Sequence, residues 1–530
     1  MQVFRHSACL ATVEDLTSAA RQALARQAPI DALLALGRLE CALADAELGR
    51  HAVAAWCQQA AAACLGAAPL PTPEAPCAVR GPRATVLAPP PEGPRFYALD
   101  PIGFARAAQR WARSRRPQQV FVLGLRSMGS VLAPMAAAAL AADGIAVQWT
   151  TLRPSGPAFH RRLHAPPSLR LQLARWPGEF VVADEGPGLS GSSFGAAMAL
   201  LASLAVPSSR ITLLASHAPT AEQAARLRNP FAAAAWPHWN VLAADPLPAP
   251  AGACANLSGG AWRARFGRDA NPPVWGTHSR LLFLADHGRN IVKFAGLGAW
   301  GRATRARARR LARAGFGPRL ASAVEEHGWV RYRVEAVRPR ARPSASWANF
   351  AGRYLAWVAS EFRLARSAPP TPELVAMAEE NFAAITGAPL RCAPPLGPRI
   401  ALDGRMLPQE WGETAAGWIK FDGTDHGDDP FFPGPADIAW DLAAIGVEFG
   451  PAAGAAAAAA FRRTSGETER ALAPRLAWHA AAYTAFRHAY CALAAEQAGD
   501  PEAAGFLREA DRYRVSASRL CREFPRLRSA

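Results

Sequence analysis

VVADEGPGLSGSSF, residues Val181–Phe194, decides the reading of this chain. An apolar run ends on two adjacent carboxylates, Asp184 and Glu185. Gly186, Gly188 and Gly191 then permit a sharp backbone turn. Ser190, Ser192 and Ser193 supply hydroxyls, and a helical pattern begins. A strand that delivers acids to a Gly/Ser loop, with a helix start behind it, forms a phosphate cradle from main-chain N–H groups. The acids at the strand tip are placed for a sugar diol or hydrated Mg2+.

On either side of this stretch, short apolar runs alternate with helical patterns. QVFVLGL (Gln119–Leu125), AVQWTTL (Ala146–Leu152), EFVVAD (Glu179–Asp184) and RITLLAS (Arg210–Ser216) read as strands. Gly129 to Ala142 and Ser193 to Leu204 read as helices. This alternation predicts an α/β fold with a doubly wound, mostly parallel sheet covered on both faces. Helical periodicity upstream, with Asp31 at a capping position, predicts a helical N-terminal segment over 1–90, closed by the Pro-rich break from Pro69 to Pro94. The sheet domain then spans 91–245. The Pro/Gly-rich stretch 246–277 reads as a linker, and a third region runs over 278–530.

The Val181–Phe194 stretch resembles the ribose-phosphate signature of type I phosphoribosyltransferases, an acidic pair followed by a Thr/Ser-Gly-x-Thr/Ser loop. GLRSMGS (Gly124–Ser130) lies where that family keeps its pyrophosphate loop, and RPSGPAFHRRLHAP (Arg153–Pro166) where it has a loop that closes over substrate. The resemblance implies that Ser190, Gly191, Ser192 and Ser193 hold the 5-phosphate of phosphoribosyl pyrophosphate. Asp184 and Glu185 bind the ribose diol as catalytic residues. Arg126, Ser127 and Gly129 hold the pyrophosphate with Mg2+, and Arg161, Arg162 or His164 closes over the leaving group. Four residues, Gly186–Leu189, separate the acids from Ser190, one more than the family pattern.

The chain has only two lysines, Lys293 in NIVKFAG and Lys420 in GWIKFDG; the other basic residues are arginine. An ammonium is a compact point charge and guanidinium a wide planar fork, so a narrow phosphate slot accepts the first and rejects the second. RLLFLA and NIVKFAG, separated by DHGR, read as a hairpin, with a helix over about Trp300–Arg313. IALDGRMLPQEW carries Asp403, and GWIKFDGTD carries Asp422. The order is similar to aminoglycoside phosphotransferase-like kinases, a two-lobed α+β fold. That resemblance implies that Lys293 grips ATP phosphates, Asp403 is the catalytic base, and Asp422 binds Mg2+. Asp437 or Asp441 buttresses the loop. Pro408 stands where the family's metal-binding Asn belongs, which leaves Gln409 as the nearest amide. The early helix has no Glu for Lys293. Lys420, two residues before Asp422, shares its strand face and neutralises that carboxylate or a phosphate. Asp425, His426, Asp428 and Asp429 form an acidic cluster that adds metal ligands, reads a cationic acceptor or is simply solvated.

Bulk properties exclude several classes. The longest apolar runs are broken by Arg, Gly or Pro, so no membrane span is expected. No signal-peptide core is present, and nine cysteines without a CxxC pair fit reduced thiols in a cytoplasmic protein. The net charge of +17 is dispersed except at Arg302–Arg313, and no nucleic-acid motif accompanies it. Phosphorylated small molecules are the expected partners. The expected function is a bifunctional enzyme that combines phosphoribosyl transfer or cleavage with ATP-dependent phosphorylation. The alternatives are a phosphoribosyltransferase with a pseudokinase scaffold, and a non-catalytic sensor of phosphoribosyl pyrophosphate or nucleotide.

Overall fold

A computed structural model describes the chain except residues 1–9, 50, 75–80, 158, 189, 226, 267–271, 322–326, 336–337, 340–342, 391–392, 425–430, 433, 500 and 528–530. The acidic cluster Asp425, His426, Asp428 and Asp429 therefore lies outside the described residues, as does Leu189 of the Gly/Ser loop. The chain divides into two compact units, one of Ser7–Ala249 with Gly296–Trp300, the other built from Pro250–Ala295 and Gly301–Ala530.

The first unit holds a five-stranded sheet. Its strand order is Ala146–Leu152, Gln119–Leu125, Glu179–Ala183, Ile211–Ala215 and Asn240–Ala243, and every pairing is parallel. The strands read as near-continuous apolar runs because both faces are buried. Val120, Val122, Val181 and Leu214 face one core with Phe104, Leu132 and Leu140. Phe121, Leu123, Phe180 and Leu213 face the other with Phe194 and Leu201. The chain runs from the Gln119 strand outward to the Ala146 strand, then returns to the Glu179 strand on the opposite side. That reversal is a topological switch point, where sheets of this kind open a crevice outside the carboxyl ends of their strands. The fifth strand is only four residues long, too short to stand out by alternation.

The N-terminal helices Pro29–Asp45 and His51–Cys64 pack onto the Gly129–Ala142 helix, so the segment over 1–90 joins the sheet unit. Gly37 makes this possible: a Cβ there would lie 2.9 Å from the Ser130 carbonyl oxygen.

In the second unit, Ala253–Asn256, Leu282–Ala285, Asn290–Phe294 and Trp329–Arg333 form a four-stranded antiparallel sheet in that order. The Pro/Gly-rich stretch 246–277 is thus more than a linker. It supplies the Ala253–Asn256 edge strand, and Trp275 is buried in the main core. The RLLFLA and NIVKFAG segments pair as an antiparallel hairpin. A helical body follows, whose core centres on Trp347, Trp411, Trp440 and Trp478, each at most 1% exposed. The alanine tract at 454–460 lies within the helix Pro451–Ser465. Its small side chains let the Ala345–Glu361 helix approach until a Cβ at Gly352 would sit 2.5 Å from the Ala457 carbonyl.

Candidate functional site

At the switch point of the first unit, two loops meet. The Gln119 strand turns directly into the Gly129–Ala142 helix through Arg126, Ser127 and Met128, and the Arg126–Ser127 peptide is cis. Two glycines close the turn: a Cβ on Gly124 would lie 2.5 Å from the Gly129 carbonyl oxygen, and one on Gly129 would lie 2.4 Å from the Gly124 carbonyl carbon. On the neighbouring strand, Asp184 and Glu185 stand at the tip as the sequence predicts. The Glu185 amide donates to Asp184 Oδ1 at 2.8 Å. Desolvation raises the Asp184 carboxyl to about 7, against that amide and the nearby Arg153 guanidinium.

The serine turn follows. Gly191 takes φ +65° and caps the helix Ser192–Ser203. Ser190 Oγ accepts from the Ser192 amide at 3.1 Å and donates to Ser192 Oγ at 2.8 Å, so these two buried hydroxyls hold the turn's shape. Ser193 remains partly exposed. With both hydroxyls engaged in the turn, the donors that an anion would meet here are main-chain amides of the first helical turn. Arg162 lies in a two-residue ribbon, Arg162–Leu163 against Pro154–Ser155, and Arg161 donates to the Gly156 carbonyl.

The arginine of the glycine turn is already engaged. Arg126 Nη1 donates to Asp45 Oδ1 at 2.8 Å. Arg153, at the end of the adjacent strand, grips the same carboxylate through Nε at 3.1 Å from each oxygen and through Nη2. Sequence reasoning missed Asp45, because nothing in the helical pattern distinguishes it from a surface acid.

In the second unit, Lys293 lies mid-strand, 12% exposed, and its ammonium pairs with Asp422. Asp422 sits just past the strand Gly417–Lys420, in the left-handed region at φ +59°. Asp403 is fully buried nearby, and its Oδ2 receives Tyr354 Oη at 2.7 Å and Lys420 Nζ at 3.0 Å. Lys420 also reaches Glu410 Oε2 at 3.1 Å. Burial works against the Lys420 ammonium, but Asp403 and Glu410 outweigh it and hold its pKa above the usual 10.5. Burial and then Asp403 push the Tyr354 phenol well above 10, so it stays a donor.

The expectation for Lys420 is corrected in part: Asp422 helps to hold its ammonium charged, but after Asp403 and Glu410. Its ammonium neutralises Asp403 and Glu410, and at 1% exposure it is closed to a phosphate. Gln409 is corrected too. It is exposed in the turn Pro408–Glu410, and the residue of that turn that reaches inward is Glu410. Of the proposed metal ligands, Asp422 alone carries a carboxylate on the accessible side of the cluster, and Mg2+ suits such a site because it keeps most of its waters and binds through one or two carboxylates. Among the described residues no group of three or more His, Cys, Asp or Glu is arranged to hold a metal.

Two supports shape this cluster. Asp441, on the helix Ala439–Phe449, accepts the amides of Asp403 at 3.2 Å and Gly404 at 3.0 Å, so of the two expected candidates it is the buttress. Burial and then the Asp403 charge raise its pKa. Asp437 instead pairs with Arg475. Arg307, on the helix Gly298–Arg313, donates to the carbonyls of Ala401 at 2.8 Å, Leu402 at 3.0 Å and Gly423 at 2.9 Å, and lies 4.2 Å over Phe362. One guanidinium thus ties the backbone before Asp403 to the turn after Asp422. The basic run Arg302–Arg313 is consequently structural in part. Ala308 packs with Val330, whose strand pairs with that of Lys293.

No family model and no curated protein matches the chain. Among solved structures, a choline/ethanolamine kinase family protein from Mesorhizobium loti aligns at 19% identity, covering 45% of this chain and 89% of that one, with a TM-score of 0.29. A choline kinase from Streptococcus pneumoniae aligns at 14% identity over 45% and 89%, TM-score 0.31. A spectinomycin phosphotransferase in complex with ADP and spectinomycin aligns at 10% identity over 47% and 90%, TM-score 0.33.

Proposed function

We propose that this chain is an enzyme of phosphorylated small molecules with a phosphate-handling site in each unit. The second unit is a kinase-like phosphotransferase that uses ATP and Mg2+. The single observation that carries this reading is the ion pair between Lys293 and Asp422, residues 129 apart in sequence, beside the Asp403 loop. A strand ammonium, a strand-end carboxylate and a loop carboxylate are the parts that phosphoryl transfer needs for gripping phosphates, holding a cation and orienting an acceptor hydroxyl. On nucleotide binding, Lys293 would exchange Asp422 for phosphate oxygens, and Asp422 would then be the residue to hold a Mg2+ ion, whose charge would neutralise the phosphates. The acceptor oxygen then forms a bond to the terminal phosphorus, the bond to the bridging oxygen breaks, ADP leaves, and the hydroxyl proton is lost toward Asp403.

The first unit is proposed to bind phosphoribosyl pyrophosphate and to make or break its anomeric bond. The acids at the Glu179 strand tip, the amides of the serine turn and the glycine turn with Arg126 support this. Asp184 and Glu185 would stabilise the positive charge that develops on the ribose, and the arginines would neutralise the departing pyrophosphate.

A second reading of the kinase-like unit, nucleotide binding without transfer, is favoured by one observation: Asp403 has no exposed surface and is already bonded to Tyr354 and Lys420. Phosphorus NMR separates the readings. Wild-type protein with MgATP and a panel of amino-alcohol and amino-sugar acceptors is expected to give ADP and a new phosphomonoester, lost in Asp403→Asn. ADP and phosphomonoester both absent, with nucleotide still bound, establishes the second reading. Phosphoribosyl pyrophosphate in the same protocol is expected to release pyrophosphate, lost in Asp184→Asn.

A further inference from the structure

The pairing of Asp45 with two arginines at the switch point calls for a physical account. Asp45 is the last residue of the helix Pro29–Asp45, and no basic residue lies in that helix's final turn. A carboxylate at a helix C-terminus opposes the helix dipole. Its position is therefore set by its partners, Arg126 and Arg153. Those partners project from the carboxyl ends of adjacent parallel strands, Gln119–Leu125 and Ala146–Leu152, whose last residues Leu125 and Leu152 are in register. The carboxyl edge of such a sheet is where ligands bind. The side chains are only partly covered: 11% exposed for Arg126, 34% for Arg153 and 21% for Asp45.

Burial raises the Cys41 thiol, which accepts from Arg153 Nη2 at 2.9 Å, to about 12, so it is neutral. Glu40 accepts from Thr151 Oγ1 at 3.0 Å. Both guanidinium groups thus bond directly to the Asp45 carboxylate, while Asp184 also lies within electrostatic reach of Arg153. A phosphoryl group presents paired oxygens much as a carboxylate does, and guanidinium forks bind both in the same bidentate way.

We propose that Asp45 is an internal stand-in for the diphosphate end of the ligand, occupying a clamp formed by Arg126 and Arg153 until the ligand displaces it. This rests on the phosphoribosyl pyrophosphate reading of the first unit and adds Arg153 and the N-terminal helix to that site. A diphosphate carries more charge and more acceptor oxygens than one carboxylate, so it wins the clamp when present. When the site is empty, Asp45 keeps both guanidinium groups oriented and screens them from other anions. The competition lowers apparent affinity by the fraction of molecules in which the clamp is closed.

The test uses the full chain, with inorganic pyrophosphate and Mg2+ as the probe in isothermal titration. Asp45→Asn keeps a hydrogen-bonding side chain but removes the charge that holds the clamp. It is expected to bind pyrophosphate roughly tenfold more tightly than wild type. Glu47→Gln, which removes the same charge two residues away outside the clamp, is expected to shift affinity less than twofold, which separates displacement from general electrostatics. Arg153→Gln is expected to bind more weakly than wild type and to cancel the gain in the double variant. Equal gains in Asp45→Asn and Glu47→Gln, or no gain in Asp45→Asn while wild type binds, overturn the stand-in and leave the phosphoribosyl reading intact. No pyrophosphate binding by any form, wild type included, overturns both. Should Asp45→Asn fold poorly, hydrogen exchange in wild type decides. Saturating pyrophosphate is expected to speed exchange at the Ala46 and Leu48 amides, which now bond to Ala42 and Leu43. Unchanged exchange at saturation overturns the proposal.

Discussion

Lys420 Nζ lies 3.0 Å from Asp403 Oδ2, with both side chains sealed from solvent. Glu410 completes the cluster at 3.1 Å, so one ammonium serves two buried carboxylates. The pairing explains why a lysine persists here in a chain that otherwise uses arginine. The site between Asp403, Glu410 and the Trp411 ring, 5.6 Å from Nζ, suits a compact point charge better than a planar fork.

Replacing Lys420 with Met removes the ammonium that the buried Asp403 and Glu410 share, while Arg405 Nε stays 3.8 Å from Glu410 Oε1. Loss of one partner of a buried pair costs about 3–5 kcal/mol, so Lys420→Met is expected to lower unfolding free energy by that amount in urea titration. Lys420→Arg is expected to recover less than half of it. Full stability of either variant contradicts the account of the cluster.

Arg307 is expected to act through the loops it ties together. Arg307→Lys keeps the charge but cannot reach three carbonyls in the same plane. Each lost hydrogen bond from a charged donor is worth about 1.5–3 kcal/mol, and part of that returns through hydration. The variant is expected to lose stability on the order of 2 kcal/mol and to show a diminished thermal response to MgATP. A response equal to wild type would mean that the two loops hold their geometry without it.

Gly124→Ala tests the closure of the glycine turn. The added Cβ meets backbone at 2.5 Å, so the strand and helix must separate. Overpacking of this kind costs about 1–3 kcal/mol. Pyrophosphate binding is expected to fall more than tenfold even where the fold persists, since the displaced turn carries Arg126. Unaltered binding would place the anion site elsewhere.

The raised pKa of Asp184, about 7 against an ordinary 3.8, makes a signed prediction. A carboxyl whose folded value is raised favours the folded state while protonated. Its contribution is full below the unfolded value and is lost as pH rises through about 7. Stability of wild type is therefore expected to decline between pH 4 and pH 8 relative to Asp184→Asn, by on the order of 1–2 kcal/mol after solvent screening. A difference that stays constant or reverses with pH would show that Asp184 is ionised throughout.

Much of the strand framework was legible in the sequence because both-face burial writes itself as apolar runs, as in Gln119–Leu125. Chain order then placed Asp184, the serine turn and the Gly124–Gly129 turn at one crevice. Residue type and order placed Lys293 and Asp422 in one site, but not their direct ion pair. What remained hidden were long-range partners with no local mark. Asp45 and Arg307 look like surface residues of charged helices, and only tertiary packing turns them inward. Lys420 was visible as a rare residue, and Asp422 does help to hold its charge, but its direct partners Asp403 and Glu410 carry no local mark. Gln409 was chosen by spacing to a sequence pattern, and the Pro408–Glu410 turn points its neighbour inward instead.

The most direct test of two phosphate sites in one chain is thermal unfolding with MgATP and with phosphoribosyl pyrophosphate plus Mg2+, in wild type, Lys293→Ala and Asp184→Asn. Each ligand is expected to raise the unfolding temperature of wild type. The MgATP shift should vanish only in Lys293→Ala, and the phosphoribosyl pyrophosphate shift should fall only in Asp184→Asn. Absence of both shifts in wild type, or loss of both in a single variant, would contradict the account.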